Sequence, residues 1–299
     1  MSYRLTAEAE PAGSASPTWW VIMSRELRDL WIGGKGLHVV LLYTILLGIY
    51  SFLLASNNEV NLLPLKEMIL EVVKAAIAVC LLIGMMIAAD TITSERERLT
   101  LEGLLLTPAS RRQIVFGKFM AALSPIPIAL VVTVPYLFVL SKGDPVFQAA
   151  TLWLFVIGGL LVPALAALGL LATIWSNTTK SSMLVTLALY LLMLLPAEII
   201  RPGKVMTASE MTKSLIIQSV NPVDAINKFL GRILVLNAPP AEHWTLLAMP
   251  ALFGLFVLVL VFALASPRLR LETTTWRRMR RLWQRLVPRK PSVALEARS

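Results

Sequence analysis

Six apolar stretches constrain this chain more than any other feature, at about residues 37–55, 71–89, 119–140, 147–175, 183–200 and 246–265. A helix needs roughly 20 apolar residues to cross a bilayer, and inside the apolar layer only a helix or a closed barrel can satisfy its own backbone. Composition agrees: 57% of the residues are hydrophobic and 15% charged, against about half and a quarter in soluble domains. The expectation is an all-α polytopic membrane protein with six transmembrane helices. Cys80 is the single cysteine and lies inside an apolar run. It excludes an internal disulfide and gives no sign of a thiolate metal site. His38 and His243 stand far apart at the ends of apolar runs, which suits interfacial or capping residues and not a metal pair.

Residues 1–17 are small and polar and lack the continuous apolar core of a signal peptide, so a disordered cytoplasmic tail is expected, with no cleavage. Over 18–31, Trp19, Trp20, Met23, Leu27, Leu30 and Trp31 recur near helical spacing, with Arg25, Glu26, Arg28 and Asp29 between them. Three tryptophans set such a helix at headgroup depth, and Gly33-Gly34 ends it. The transmembrane domain then runs over 18–267. In the second span Glu71 and Lys74 are one turn apart and can pair, while Gly84 and Ala88 give a small-xxx-small face. Pro125, Pro127 and Pro135 predict kinks in the third span, and Gly158, Gly159, Pro163 and Gly169 a bent, closely packed fourth. The loop over 201–243 is the one sizeable connection outside. Within it Asn221-Pro222-Val223-Asp224 sets a cap, a first-turn proline and a first-turn carboxylate in order, so a helix should follow to about Leu236.

The densest charged cluster between two spans runs from Asp90 to Lys118. Ser94 with Glu97 three residues on reads as a capping box, and Leu101, Leu104 and Leu105 share one face beyond it. Thr107-Pro108 reads as a stop and restart, with Thr107 capping the next helix. A short helix over about 94–107 results, with one leucine edge and one charged edge. Charge sets the orientation: with the N-terminus inside, 20 of the 28 basic residues fall on the inner side, ten of them between Arg268 and Arg298. Both termini are therefore expected in the cytoplasm, with 268–299 a basic tail. That basic tail makes an anionic membrane surface, and not nucleic acid, the expected partner for a net charge of +10. No phosphate-cradling loop occurs, since Gly117-Lys118 is followed by Phe119. His-Glu-x-x-His and Gly-x-Ser-x-Gly are absent too, and no carboxylate lies deep in the spans, which argues against an intramembrane protease and an ion-driven carrier. The chain is expected to be no enzyme and to hold no cofactor or metal of its own.

Glu95-Arg96-Glu97-Arg98, Thr100-Leu101-Glu102, Leu104-Leu105, Thr107-Pro108, Ser110-Arg111 and Gly117-Lys118 together resemble the signature of ABC-2 type transporter membrane subunits. The likeness extends to the interfacial helix, the six spans and Asn221-Pro222; Leu99 departs from it, since members commonly carry Gly there. The resemblance implies an ABC-2, type V exporter-like fold in the cell (inner) membrane. It implies a permease that pairs with a second permease chain, as homo- or heterodimer. It also implies two copies of a separate ABC ATPase subunit that holds the ATP and Mg. Docking of the short helix on that ATPase puts Glu97, Arg98, Leu101, Glu102, Leu104, Leu105, Thr107 and Pro108 at the contact. Apolar span interiors favour export of a hydrophobic or amphipathic substrate. The alternative reading is a membrane anchor or assembly factor that recruits an ATPase and transports nothing.

Overall fold

The computed structural model describes residues 17–56, 64–98, 100, 109–176, 178–199 and 221–268. Among them the elements are helical, with no strand. α1 (Thr18–Ile32) leads by a two-glycine turn into α2 (Lys35–Ser56); α3 (Leu65–Asp90) is followed by the short α4 (Thr93–Glu97). α5 (Arg111–Ala122) and α6 (Pro125–Ser141) follow, then α7 (Val146–Trp175) and α8 (Thr179–Ile199). α9 (Pro222–Leu234) and α10 (Trp244–Arg268) complete the bundle. Among the described residues five segments are long and apolar enough to cross a membrane: 35–56, 65–97, 111–141, 146–175 and 244–264. α8, 21 residues long, is the sixth helix of spanning length.

The centre of the bundle is the α3–α7 pair, around which α6, α8 and α10 pack. Apolar side chains gain little by leaving lipid for protein, so close backbone approach must supply the packing. A Cβ on Gly169 would stand 2.1 Å from the Met85 carbonyl oxygen, so only glycine lets these backbones meet. Gly84 and Ala88 lie buried on the facing side of α3. α2 is peripheral, with Leu41, Leu42, Ile45, Leu46, Ile49, Phe52 and Leu53 exposed. Hydroxyls fix it to the bundle. Thr133 donates to the Ala129 carbonyl at 2.9 Å, so the 2.5 Å bond between Tyr43 and Thr133 must be donated by Tyr43. Tyr136 donates to the Thr44 carbonyl at 3.2 Å.

Three expectations change here. The second span starts at Leu65, six residues before the apolar run suggested, and there Lys74 pairs with Glu71 at 2.7 Å. The last helix runs past the expected end of its span near residue 265, through Ser266-Pro267, to Arg268. The third span carries one break, at Leu123–Ser124. Pro125 and Pro127 fall in the first turn of α6, where no intrahelical N–H is needed, and only Pro135 is interior. On α9, the Asn221 carboxamide oxygen accepts from the Val223 and Asp224 N–H groups at 3.0 and 3.4 Å, while its nitrogen donates to the Met193 carbonyl at 2.6 Å. Ile226, Phe229, Leu230, Ile233 and Leu234 are buried, as the apolar spacing predicts.

Candidate functional site at the polar end of the bundle

Lys118 is 1% exposed, the most deeply buried charge among the described residues. Its ammonium donates to Glu26 Oε1 on α1 at 2.6 Å and to the Thr91 carbonyl at 3.3 Å, and it pairs with Glu95 Oε1 on α4 at 2.9 Å. All three protons are used. A buried ammonium is tolerated only when paired and hydrogen-bonded, so this residue fixes the relative position of three elements at once. Gly117 makes the junction possible: a Cβ there would lie 2.7 Å from the Trp19 carbonyl oxygen, so α1 lies directly on α5. Around it Trp19 meets Phe116 edge-on at 5.4 Å, and Phe116 meets Phe262 of α10 at 6.1 Å. At the other end of α1, the Trp31 indole donates to Ser124 at the bend between α5 and α6, at 3.1 Å.

α4 reaches in the opposite direction as well. Arg96 donates to the Ser176 carbonyl at 2.6 Å, and Glu97 accepts from the Thr179 N–H, the first of α8, at 2.8 Å. A carboxylate on a helix N-terminus satisfies a free donor and meets the positive end of the helix dipole. Ser182 adds a bond from α8 to the Ala89 carbonyl at 2.9 Å. Glu95, Arg96 and Glu97 are consecutive on a helix, so they fan around it. One side grips α1 and α5 through Lys118, the other the start of α8.

Two sequence expectations are corrected at this hairpin. Ser94 caps nothing: it donates to the Asp90 carbonyl at 2.6 Å, as Thr91 and Thr93 donate to Ala88 and Ala89, and the Glu97 carboxylate goes to Thr179. The helix does not run unbroken over 94–107, because α4 ends at Glu97 and the Thr100 N–H closes on the Glu95 carbonyl at 3.0 Å. The capping box is at Ser110: its hydroxyl accepts from the Gln113 N–H at 3.3 Å, and the Gln113 side chain accepts from the Ser110 N–H at 3.1 Å. α5 therefore starts at Arg111, and Thr107 is not its cap. Of the candidate contact residues, Glu97 and Arg98 are described. Leu101, Glu102, Leu104, Leu105, Thr107 and Pro108 lie outside the described residues.

A model of the ABC-2 family transporter proteins matches residues 20–274, spanning α1 through α10 and the signature stretch between α4 and α5. This chain belongs to the ABC-2 transporter family. It is a multi-pass membrane permease subunit of an ABC transporter, and that family works with an ABC ATPase. No curated protein matches the sequence as a relative. For an ABC-2 permease the Lys118 junction has direct meaning, because it ties the polar hairpin to the bent third span. Gly117-Lys118 ends the signature and Glu26 lies among the polar residues of the interfacial helix, but nothing in the sequence joins the two. The available signal was a Gly-Lys pair opposite a glutamate on an amphipathic helix. Its pairing across 92 residues could not be read without the position of α1.

Proposed function

We propose that this permease exports a hydrophobic or amphipathic substrate across the cell (inner) membrane, driven by two copies of a separate ATPase that bind ATP and Mg. The polar end of the bundle faces the cytoplasm, as the basic residues of the hairpin and tail favour. The segment between α4 and α5 docks on the ATPase through Arg98, Leu101, Glu102, Leu104, Leu105, Thr107 and Pro108. Glu97, the last residue of α4, borders that segment, and its carboxylate anchors α8 from within the permease. A second permease chain completes the transporter.

The Lys118 junction carries this reading. Whatever displaces the hairpin pulls Glu95, and through Lys118 it moves α5 and α1 together. The break at Leu123–Ser124, held by Trp31, turns that movement into a change of angle in α6. Coupling is then the difference in docking free energy between nucleotide states. By linkage the substrate changes nucleotide affinity by the same factor. Co-reconstitution with the ATPase into liposomes tests it: ATP hydrolysis should rise with substrate, and Leu104→Glu should abolish that rise in a chain that still inserts. Unimpaired export by Leu104→Glu would reject the docking assignment, and an ATPase rate indifferent to every substrate would mark a recruiting anchor.

A further inference from the structure

At the polar end, α1, the start of α2, the end of α3 and α4 enclose a cleft of about 610 Å³. That volume lies within the range of about 300–1,000 Å³ typical of small-ligand sites. The cleft has an apolar floor and a charged rim. Leu30, Ile87, Ala121 and Ala122 line the floor. Of the charges that line the cleft, the buried Lys118 is taken by Glu26 and Glu95, and Lys35 sits 3.5 Å from Asp90. What remains is Arg25, Arg28 and Arg98, none with an ion pair among the described residues, and a single further carboxylate, Asp29. Over the whole lining the five cations Arg25, Arg28, Lys35, Arg98 and Lys118 face the four carboxylates Glu26, Asp29, Asp90 and Glu95, so the net charge is +1 and the excess rests on the guanidiniums, whose forks match the oxygens of a phosphate.

Depth in the membrane selects the source of that phosphate. Lys35 is the first residue of α2 and Asp90 the last of α3, so the cleft lies where two spans leave the apolar layer. Trp19, Trp20 and Trp31 hold α1 at that level. We propose that this cleft binds the headgroup phosphate of an anionic phospholipid, with Arg25 and Arg28 on the phosphate and the apolar floor under the glycerol and upper acyl chains. Such a lipid closes α1 onto the bundle beside the Lys118 junction. The proposal goes beyond the transport reading and stands on membrane insertion alone.

Native mass spectrometry of the full purified permease in detergent, without the ATPase, tests it. Dioleoyl phosphatidylglycerol, dioleoyl phosphatidylcholine and inorganic phosphate are titrated separately. The basic tail also attracts anionic lipid, so the readout is the difference between chains that share the tail. The native chain should hold one phosphatidylglycerol more tightly than Arg25→Gln/Arg28→Gln by about tenfold, the loss expected when charge-assisted hydrogen bonds go. Phosphatidylcholine affinity should be the same for both. Arg25 and Arg28 are exposed, so folding is not at stake. Equal phosphatidylglycerol affinity in native and variant chains overturns the proposal. So does inorganic phosphate that binds while phosphatidylglycerol fails to compete, which marks a free-anion site.

Discussion

At the residue scale the decisive group is Lys118, and its surroundings set what its loss should do. Removing the ammonium leaves Glu26 and Glu95 facing each other, one like charge against another, with no compensating donor. Breaking a buried pair in this way costs about 3–5 kcal/mol, and the partial exposure of both carboxylates places Lys118→Met at the lower end. Thermal unfolding of the detergent-solubilised permease should show that loss. In a Glu26→Gln/Glu95→Gln background the same substitution should cost much less, because the interaction is shared and the effects do not add. Equal cost in both backgrounds would mean that the lysine is held by its stem alone. Gly117→Ala acts on the neighbouring contact: its Cβ meets a carbonyl oxygen of α1, which cannot rotate aside, so α1 must lift. Faster amide exchange across residues 18–32 is the expected sign, and unchanged protection would contradict the close approach.

At the scale of elements, the hairpin shows how one sequence pattern can mean two things. Ser94-x-x-Glu97 and Ser110-x-x-Gln113 both fit a capping box, and only the second is one. Ser94 follows α3 so closely that preceding carbonyls already claim its hydroxyl and the nearby N–H groups, with Arg96 N–H on the Ile92 carbonyl at 3.1 Å. Ser110 stands in extended backbone before α5, where free N–H groups do await an acceptor. Ser110→Ala should therefore cost about 1 kcal/mol, and Ser94→Ala distinctly less; the reverse order in paired unfolding curves would undo the assignment. Glu97→Gln should destabilise the start of α8 by about 0.3–1 kcal/mol, read as faster exchange of the Thr179 amide. The spans themselves were legible in the sequence, because lipid leaves an apolar stretch of that length no alternative to a helix. Proline content alone did not place the break, which falls at Leu123–Ser124, before Pro125 and Pro127 in the first turn of α6.

At the scale of the whole molecule, burial separates a fixed centre from a periphery. The apolar window of α7 is 72% buried and that of α3 56%, against 17% for α2 and 22% for α10. The pair held by Gly169 is the frame. α1, the α4–α5 hairpin and the α5–α6 bend form a linked assembly at one end, with α2 bound to that bend's helix by hydroxyls. This connectivity was not legible in the sequence, because its ties join residues 80 to 93 positions apart. Hydropathy sees each span alone. The central claim is that the hairpin between α4 and α5 delivers the motion of an ATPase, and the chain offers a clean way to test it. Cys80, its single cysteine, is 1% exposed, so Leu104→Cys supplies the one reactive thiol. Crosslinking from that thiol to the ATPase in native membranes should give a permease–ATPase adduct whose yield changes with nucleotide. A thiol that forms no adduct in any nucleotide state, and is labelled only from the extracytoplasmic side, would contradict the account.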